Sequence, residues 1–173
     1  MILNFCPPYR IFLCTKIIFC TPCKFFSFTK YAEQIATSAS NFDQIEEFLN
    51  YQPTLIEDKM LDILEEKIRV HAPDLVCFSI PFPGNLFAAL RSSQFLKQFH
   101  PGIRIAFGGG YCNTELRSLE DPRIFKFIDF ISLDDGEGPL LNIINYIAGK
   151  VELNALERTF VLEENRVVYK NKT

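Results

Sequence analysis

From residue 41 onward, apolar residues recur at helical spacing and then in short unbroken runs, in regular alternation. Phe42, Ile45, Phe48 and Leu49 form one stripe, and Asn41 with Gln44 three positions on reads as the cap that opens it. Thr54 and Glu57 form a second capping box. Behind it Met60, Leu61, Leu64 and Ile68 share a helix face, and Pro73 stops the helix. The apolar run over 74–80 reads as a buried strand. A helix over about 85–99 shows Leu86, Ala89, Leu90, Phe95 and Leu96, closed by Pro101-Gly102. A strand over 104–107 runs into three glycines, and a short helix follows over 114–119. Asp121-Pro122 opens another helical turn, with proline at the first helical position. A strand over 128–133, a helix over 139–147 ended by Gly149, and two strands over 159–162 and 167–169 complete the pattern. Glu163-Glu164-Asn165-Arg166 joins that last pair as a closing hairpin. Ahead of residue 41, 1–5 reads as a first strand stopped by Pro7-Pro8, and a short helix is expected over 31–37.

Strands separated by helices of this length mean βαβ units and a parallel sheet. Crossovers should be right-handed, with helices on both faces. The expected fold class is therefore α/β: a doubly wound, flavodoxin-like (Rossmann-like), mostly parallel sheet with a C-terminal β-hairpin. A chain of 173 residues is long enough for one such domain with a sizeable core. Within it, 1–30 reads as an atypical N-terminal segment containing the first strand, and 31–150 as the α/β domain. Residues 151–173 read as a hairpin and linker toward a missing downstream domain.

Charge and cysteine content narrow the partners. The formal charge of −3 and a pI of about 5.5 argue against nucleic acid. Residues 1–30 hold four cations and no acid, so the remaining residues carry 14 cations against 21 acids. Lys16 and Lys24 break the apolar stretch over 11–28 into runs too short to span a bilayer, which needs about 20 apolar residues. A signal peptide would need an unbroken apolar core, so the expectation is a cytoplasmic protein with no membrane partner. Six cysteines form no secreted framework. Cys20-Thr21-Pro22-Cys23 could be half a zinc site or a redox pair, but no second such pair or suitably spaced histidine follows. Cys77 reads as a small buried hydrophobe in mid-strand. Cys112, after the glycines, can face a ligand or serve as a plain loop thiol.

Candidate chemistry gathers at the strand ends. Two parallel strands finishing in Ser79 and in Gly108-Gly109-Gly110 leave bare main chain at their carboxyl ends, where open α/β sheets bind ligands. A third loop, Leu133-Asp134-Asp135-Gly136-Glu137-Gly138, ends the next strand at the same rim.

Twenty-six residues separate Ser79-Ile80-Pro81 from Gly108-Gly109, enough for one helix and one strand. Here the chain resembles the cobalamin-binding domain, whose second and third signatures are Ser-x-Leu and Gly-Gly at about this separation. The version it resembles stands at the N-terminus of cobalamin-dependent radical S-adenosylmethionine proteins. Pro73-Asp74-Leu75-Val76, Ser79 through Asn85, Gly108 through Leu116 and Leu133 through Pro139 carry the resemblance, which covers roughly residues 70–170. It implies a cobalamin-binding module whose cofactor tail runs down between strand ends and helices. In that reading Ser79, with Ile80, Pro81, Phe82 and Pro83 behind it, bonds the tail base, and Gly108, Gly109 and Gly110 make room for the tail. Tyr111 and the loop of Leu133, Asp134, Asp135, Gly136 and Glu137 border the corrin side. A buried base edge needs glycine main chain beside it, and the Ser79 hydroxyl can satisfy a base nitrogen that would otherwise be buried unpaired. On the same grounds Gly109→Val should abolish cofactor retention while leaving folding mostly intact.

Two departures shape the expectation. Cobalamin domains that supply a histidine to cobalt carry Asp-x-His-x-x-Gly after the first strand, whereas 4–10 here holds no histidine. His71 and His100 sit at helix ends away from the rim, so no metal ligand and no catalytic residue is assigned. The family's cysteine motif and barrel are also missing. The four-iron–four-sulfur cluster and S-adenosylmethionine therefore belong only to a presumed downstream domain, the radical S-adenosylmethionine catalytic domain, as partner. Other readings stay open. Gly108-x-Gly110-x-x-Asn113 approaches a nicotinamide- or flavin-nucleotide fingerprint, with Asp129 as its distant acid. Asp134-Asp135 could hold magnesium in a phosphotransfer receiver, and an interaction domain with a relict pocket would bind no cofactor.

Overall fold

A computed structural model of the chain describes residues 2–3, 11–14 and 42–171. Within these residues the protein is α/β, with helices packed on a mixed sheet of seven strands. The strands are β1 (Ile2–Leu3), β2 (Ile11–Cys14), β3 (Leu75–Ser79), β4 (Arg104–Gly108), β5 (Phe130–Ser132), β6 (Thr159–Glu163) and β7 (Arg166–Lys170). They lie side by side in chain order. β2, β3, β4 and β5 are parallel, while β1 is antiparallel to β2 and β6 and β7 are antiparallel additions beside β5. The doubly wound type reverses its strand order at one point, and no such reversal occurs among the described strands.

The first strand is a correction. The first strand to join the parallel set is not 1–5 but Ile11–Cys14, which pairs in register with β3 from Leu75 to Phe78. Four successive apolar residues between Arg10 and Thr15 are a buried-strand signal, concealed by the longer apolar stretch around them. The place to seek a cobalt-ligating histidine thereby moves to the residues after Cys14, which also hold none before His71. The expected helix over 31–37, the cap at Asn41, the Cys20–Cys23 pair and the loop over 4–10 lie outside the described residues.

The described residues hold five α-helices: α1 (Phe42–Asn50), α2 (Leu55–His71), α3 (Pro83–Phe99), α4 (Gly110–Thr114) and α5 (Glu137–Ile147). Strand alternation divides the core in two. Val76, Phe78, Ile105, Phe107 and Ile131 face α1, α2 and α3, through Ile45, Leu49, Leu64, Ile68, Leu90 and Leu96. Leu75, Cys77, Ala106 and Phe130 face the other way, against Ile143 of α5 and Leu156 and Val161 further on. Residues 151–170 thus belong to the sheet and its second core layer. Phe78 and Phe107 meet edge to face on the central strands, 5.7 Å between ring centres.

Local chemistry sets the helix ends. Thr54 accepts from the Glu57 N–H while the Glu57 carboxylate accepts from the Thr54 N–H at 2.6 Å, the reciprocal cap expected there. Phe48, placed on the inner stripe by its spacing, is exposed instead and packs beside Tyr51 and Phe87. Arg91 of α3 is buried, an arrangement that no spacing signals. Its Nε donates to Glu57, one terminal nitrogen to the Leu49 carbonyl and Gln94, and the other to the Phe48 and Tyr51 carbonyls. One side chain thereby stitches the end of α1 to α2 and α3. Among the described residues no helix is long and apolar enough to cross a membrane.

Candidate functional site

The carboxyl ends of β3, β4 and β5 and the loops leaving them form the rim that the sequence singles out. Ser79 closes β3, opposite Gly108 of β4 in the register. It is exposed, and among the described residues its hydroxyl has no hydrogen-bond partner. Pro81 and Phe82 follow on the surface, Phe82 with 68% of its area exposed, and α3 begins at Pro83. Proline at the first helical position loses no helical hydrogen bond, which explains the start two residues earlier than the apolar pattern suggests.

Ile80 does not face the rim. Its side chain is fully buried, and its main chain is clamped: the N–H donates to the Gly108 carbonyl at 2.7 Å and the carbonyl accepts from the Tyr111 N–H at 3.0 Å. This clamp is what the glycine run serves. Gly109 sits at φ +101°, and a Cβ there would stand 2.8 Å from the Ile80 nitrogen and 2.9 Å from its oxygen. At Gly108 a Cβ would stand 2.8 Å from the Ser132 Oγ. The space beside these two glycines is therefore filled by the protein itself and is not left for a cofactor tail. Gly109→Val, expected to spare folding, instead drives a branched side chain into main chain. Gly110 differs: it is exposed, and a Cβ there would meet only the Pro81 carbonyl, at 3.4 Å.

The chain turns helical at once after the glycines, four residues before the expected start at Thr114. Tyr111 and Cys112 consequently point inward. Tyr111 is 2% exposed, packed in the larger core, and its hydroxyl has no partner among the described residues. Burial, helped by the nearby Glu115 and Cys112, pushes this phenol up to about 12. Burial likewise raises the Cys112 and Cys77 thiols to about 12, so both stay protonated and unreactive near neutral pH. Tyr111 thus does not border an open corrin face, and Cys112 meets no ligand from the rim.

Leu133 is buried too, its N–H donating to the Arg158 carbonyl at 2.8 Å. Beyond it the third loop is shaped by its own main chain, with Asp134 at φ +61° and Gly136 at φ +74°. Asp135 and Glu137 are exposed, and Gly136 is half-buried. Two residues that sequence reasoning did not assign to the site hold this loop. Asn113 bonds both main-chain groups of Asp134, and the Arg117 guanidinium pairs with the Asp134 carboxylate. Their spacing carries no signal of its own, because Asp134 lies 21 residues from Asn113 and 17 from Arg117.

The remaining candidates sit elsewhere. Asp129 precedes β5 at the amino end of the sheet, where Lys97 at 2.6 Å, Arg104 at 3.1 Å and the Ile105 N–H at 2.8 Å occupy its carboxylate. It cannot reach a ligand at the glycine rim. His71 ends α2, and His100 follows α3 and meets Glu65 at 2.5 Å, both at that same amino end. Among the described residues no group of three or more His, Cys, Asp or Glu side chains could hold a metal ion. What the rim offers is an exposed hydroxyl, open main chain at Gly110, an exposed phenyl ring and a preshaped acidic loop. Comparison of the chain with protein-family models and with curated proteins finds no match.

Proposed function

We propose that this chain is a cobalamin-binding module that holds the cofactor at the carboxyl rim of β3 and β4. The observation that carries the reading is Ser79, an exposed hydroxyl with no partner among the described residues, at the end of a central parallel strand and beside main chain that is open at Gly110. A buried nitrogen of a ligand base needs a hydroxyl partner in such a position, since leaving it unpaired would cost about 1–3 kcal/mol. The fit is with the outer half of the rim: Ser79, Pro81, Phe82 and Gly110 can meet the ligand, with Asp135 and Glu137 at its border. Gly108 and Gly109 support it indirectly, by letting β4 close against Ile80. The reading includes a Rossmann-like parallel core finished by a C-terminal hairpin, and a cytoplasmic setting. Bound cobalamin supplies cobalt chemistry to a catalytic partner, here a radical S-adenosylmethionine domain in a longer or separate chain. This chain binds and orients the cofactor, and both its histidines lie too far from the rim to ligate cobalt.

Incubation with hydroxocobalamin, desalting and an absorption spectrum test the proposal, with flavin mononucleotide and oxidised nicotinamide dinucleotide as parallel incubations. Retained corrinoid bands near one equivalent are the expected result. Retention of flavin or nicotinamide in place of corrinoid, or of nothing by folded protein, overturns it.

A further inference from the structure

We infer that Asn113 is a positioning residue for this rim, an inference that rests on the cobalamin reading. Its side-chain nitrogen donates to the Asp134 carbonyl at 3.1 Å, and its side-chain oxygen accepts from the Asp134 N–H at 2.5 Å. Both main-chain polar groups of one residue are thus satisfied by one amide. Asp134 needs that support, because its φ of +61° lies in the left-handed region, which disfavours an L-residue by about 1–2 kcal/mol. Arg117 completes the arrangement. Its Nε donates to the Asn113 carbonyl at 2.9 Å, while its terminal nitrogen pairs with the Asp134 carboxylate.

These contacts join the helix that follows the glycine run to the loop that follows β5. Without them the acidic loop would be tethered by its own strand and by the Leu133–Arg158 bond on the far side. With them, Gly110 and Asp135 belong to one lip, and a ligand entering over Gly110 meets a loop whose shape is already set. Ordering that loop before binding lowers the entropy lost when the ligand arrives. Few side chains could replace this amide. Aspartate lacks the donor and adds a second negative charge beside Asp134, glutamine is one methylene longer, and alanine offers nothing.

The test titrates hydroxocobalamin into the full chain and its Asn113→Ala and Asn113→Asp variants. The affinity, the visible spectrum of the bound corrinoid and amide exchange are followed together. Both variants are expected to bind about tenfold more weakly, with a shifted corrinoid spectrum. Exchange should quicken over residues 134–137 while α1 and α2 keep wild-type protection. Wild-type affinity and spectrum in both variants would overturn the role of Asn113 while leaving the cobalamin reading intact. Weaker binding with an unshifted spectrum and an equal loss of protection in α1 and α2 would reduce Asn113 to general stability, and so overturn it also. If the folded wild-type chain takes up no corrinoid, the reading falls and this inference with it.

Discussion

At the junction of α1, α2 and α3 the guanidinium of Arg91 spends all five N–H groups on the protein, whereas at the rim the Ser79 hydroxyl meets solvent. Both places gather main-chain polar groups at the end of a secondary element. At the junction, carbonyls left over by the last turn of α1 are saturated by a buried cation, itself neutralised by Glu57. Nothing there is left to recognise a ligand. The rim is saturated only below its surface, where Ile80 is clamped between Gly108 and Tyr111. Above that clamp a hydroxyl, a glycine and an acidic loop remain outward. A buried charge with every donor matched is architecture, and an unmatched donor on a rigid support is a candidate site.

The largest expected effect breaks the first region. Arg91→Ala strands the Tyr51 carbonyl, leaves the Leu49 carbonyl to Gln94 and the Phe48 carbonyl to the Tyr51 N–H, and leaves the Glu57 carboxylate with its cap alone. Removing one partner of a buried, hydrogen-bonded pair costs about 3–5 kcal/mol. Urea denaturation should show a loss of that size. A loss under about 1 kcal/mol would mean that the junction is wet and the contrast with the rim is false.

Gly109→Val comes next and acts on the clamp beneath the rim. The φ of +101° and the 2.8 Å approach to the Ile80 nitrogen oppose any side chain, and together should cost about 3 kcal/mol. Gly110→Ala, with 3.4 Å to the Pro81 carbonyl as its tightest approach, should be nearly neutral for stability. Equal losses in the two variants would show that the clamp does not distinguish the glycines.

Alkaline pH separates the regions without mutation. Cys112 and Tyr111 in α4 are held neutral, with burial raising both to about 12 from ordinary values of 9.0 and 10.0. An opened chain loses these protons first, so the stability they contribute is intact below pH 9 and declines as pH rises toward 12. Each of these two groups gives a slope of up to about 1.4 kcal/mol per pH unit. Arginine stays charged throughout. Hydrogen exchange, corrected for the intrinsic rate at each pH, should therefore show α4 opening above pH 9 before α1 does. Simultaneous opening would argue that the two regions unfold as one unit.

How much of this was legible depended on whether the signal was local. The Thr54–Glu57 cap, Pro122 opening its turn and the apolar runs of β3, β4 and β5 are written in neighbouring residues, and each element stands where its residues place it. Ile11–Cys14 was concealed by surrounding apolar residues, and its parallel pairing with β3 reaches across the 60 residues, 15 to 74, between the two strands. Ser79 could be read as exposed because it ends a strand. The glycines could be read as a place of close approach, but not which atoms approach. A close approach by the protein's own Ile80 and one by a ligand leave the same three letters. Asn113, Arg117 and Arg91 were illegible for a related reason: each takes its meaning from carbonyls or carboxylates far away in the chain.

Ser79→Ala has the smallest expected effect on stability and the sharpest bearing on function. The side chain is exposed and makes no hydrogen bond within the described protein, so its removal should change the unfolding free energy by less than about 0.5 kcal/mol. If the hydroxyl meets a ligand base, the same change removes about 1 kcal/mol of binding, or roughly fivefold in Kd, and more if the base nitrogen is left buried and unpaired. Differential scanning calorimetry beside a hydroxocobalamin titration reads both quantities on one sample. Unchanged stability with weakened binding sets the rim apart from the Arg91 junction, where stability and any function would fall together. Unchanged stability with unchanged binding would make Ser79 a mere strand end, and the outward-facing hydroxyl would then carry no more functional meaning than the buried guanidinium.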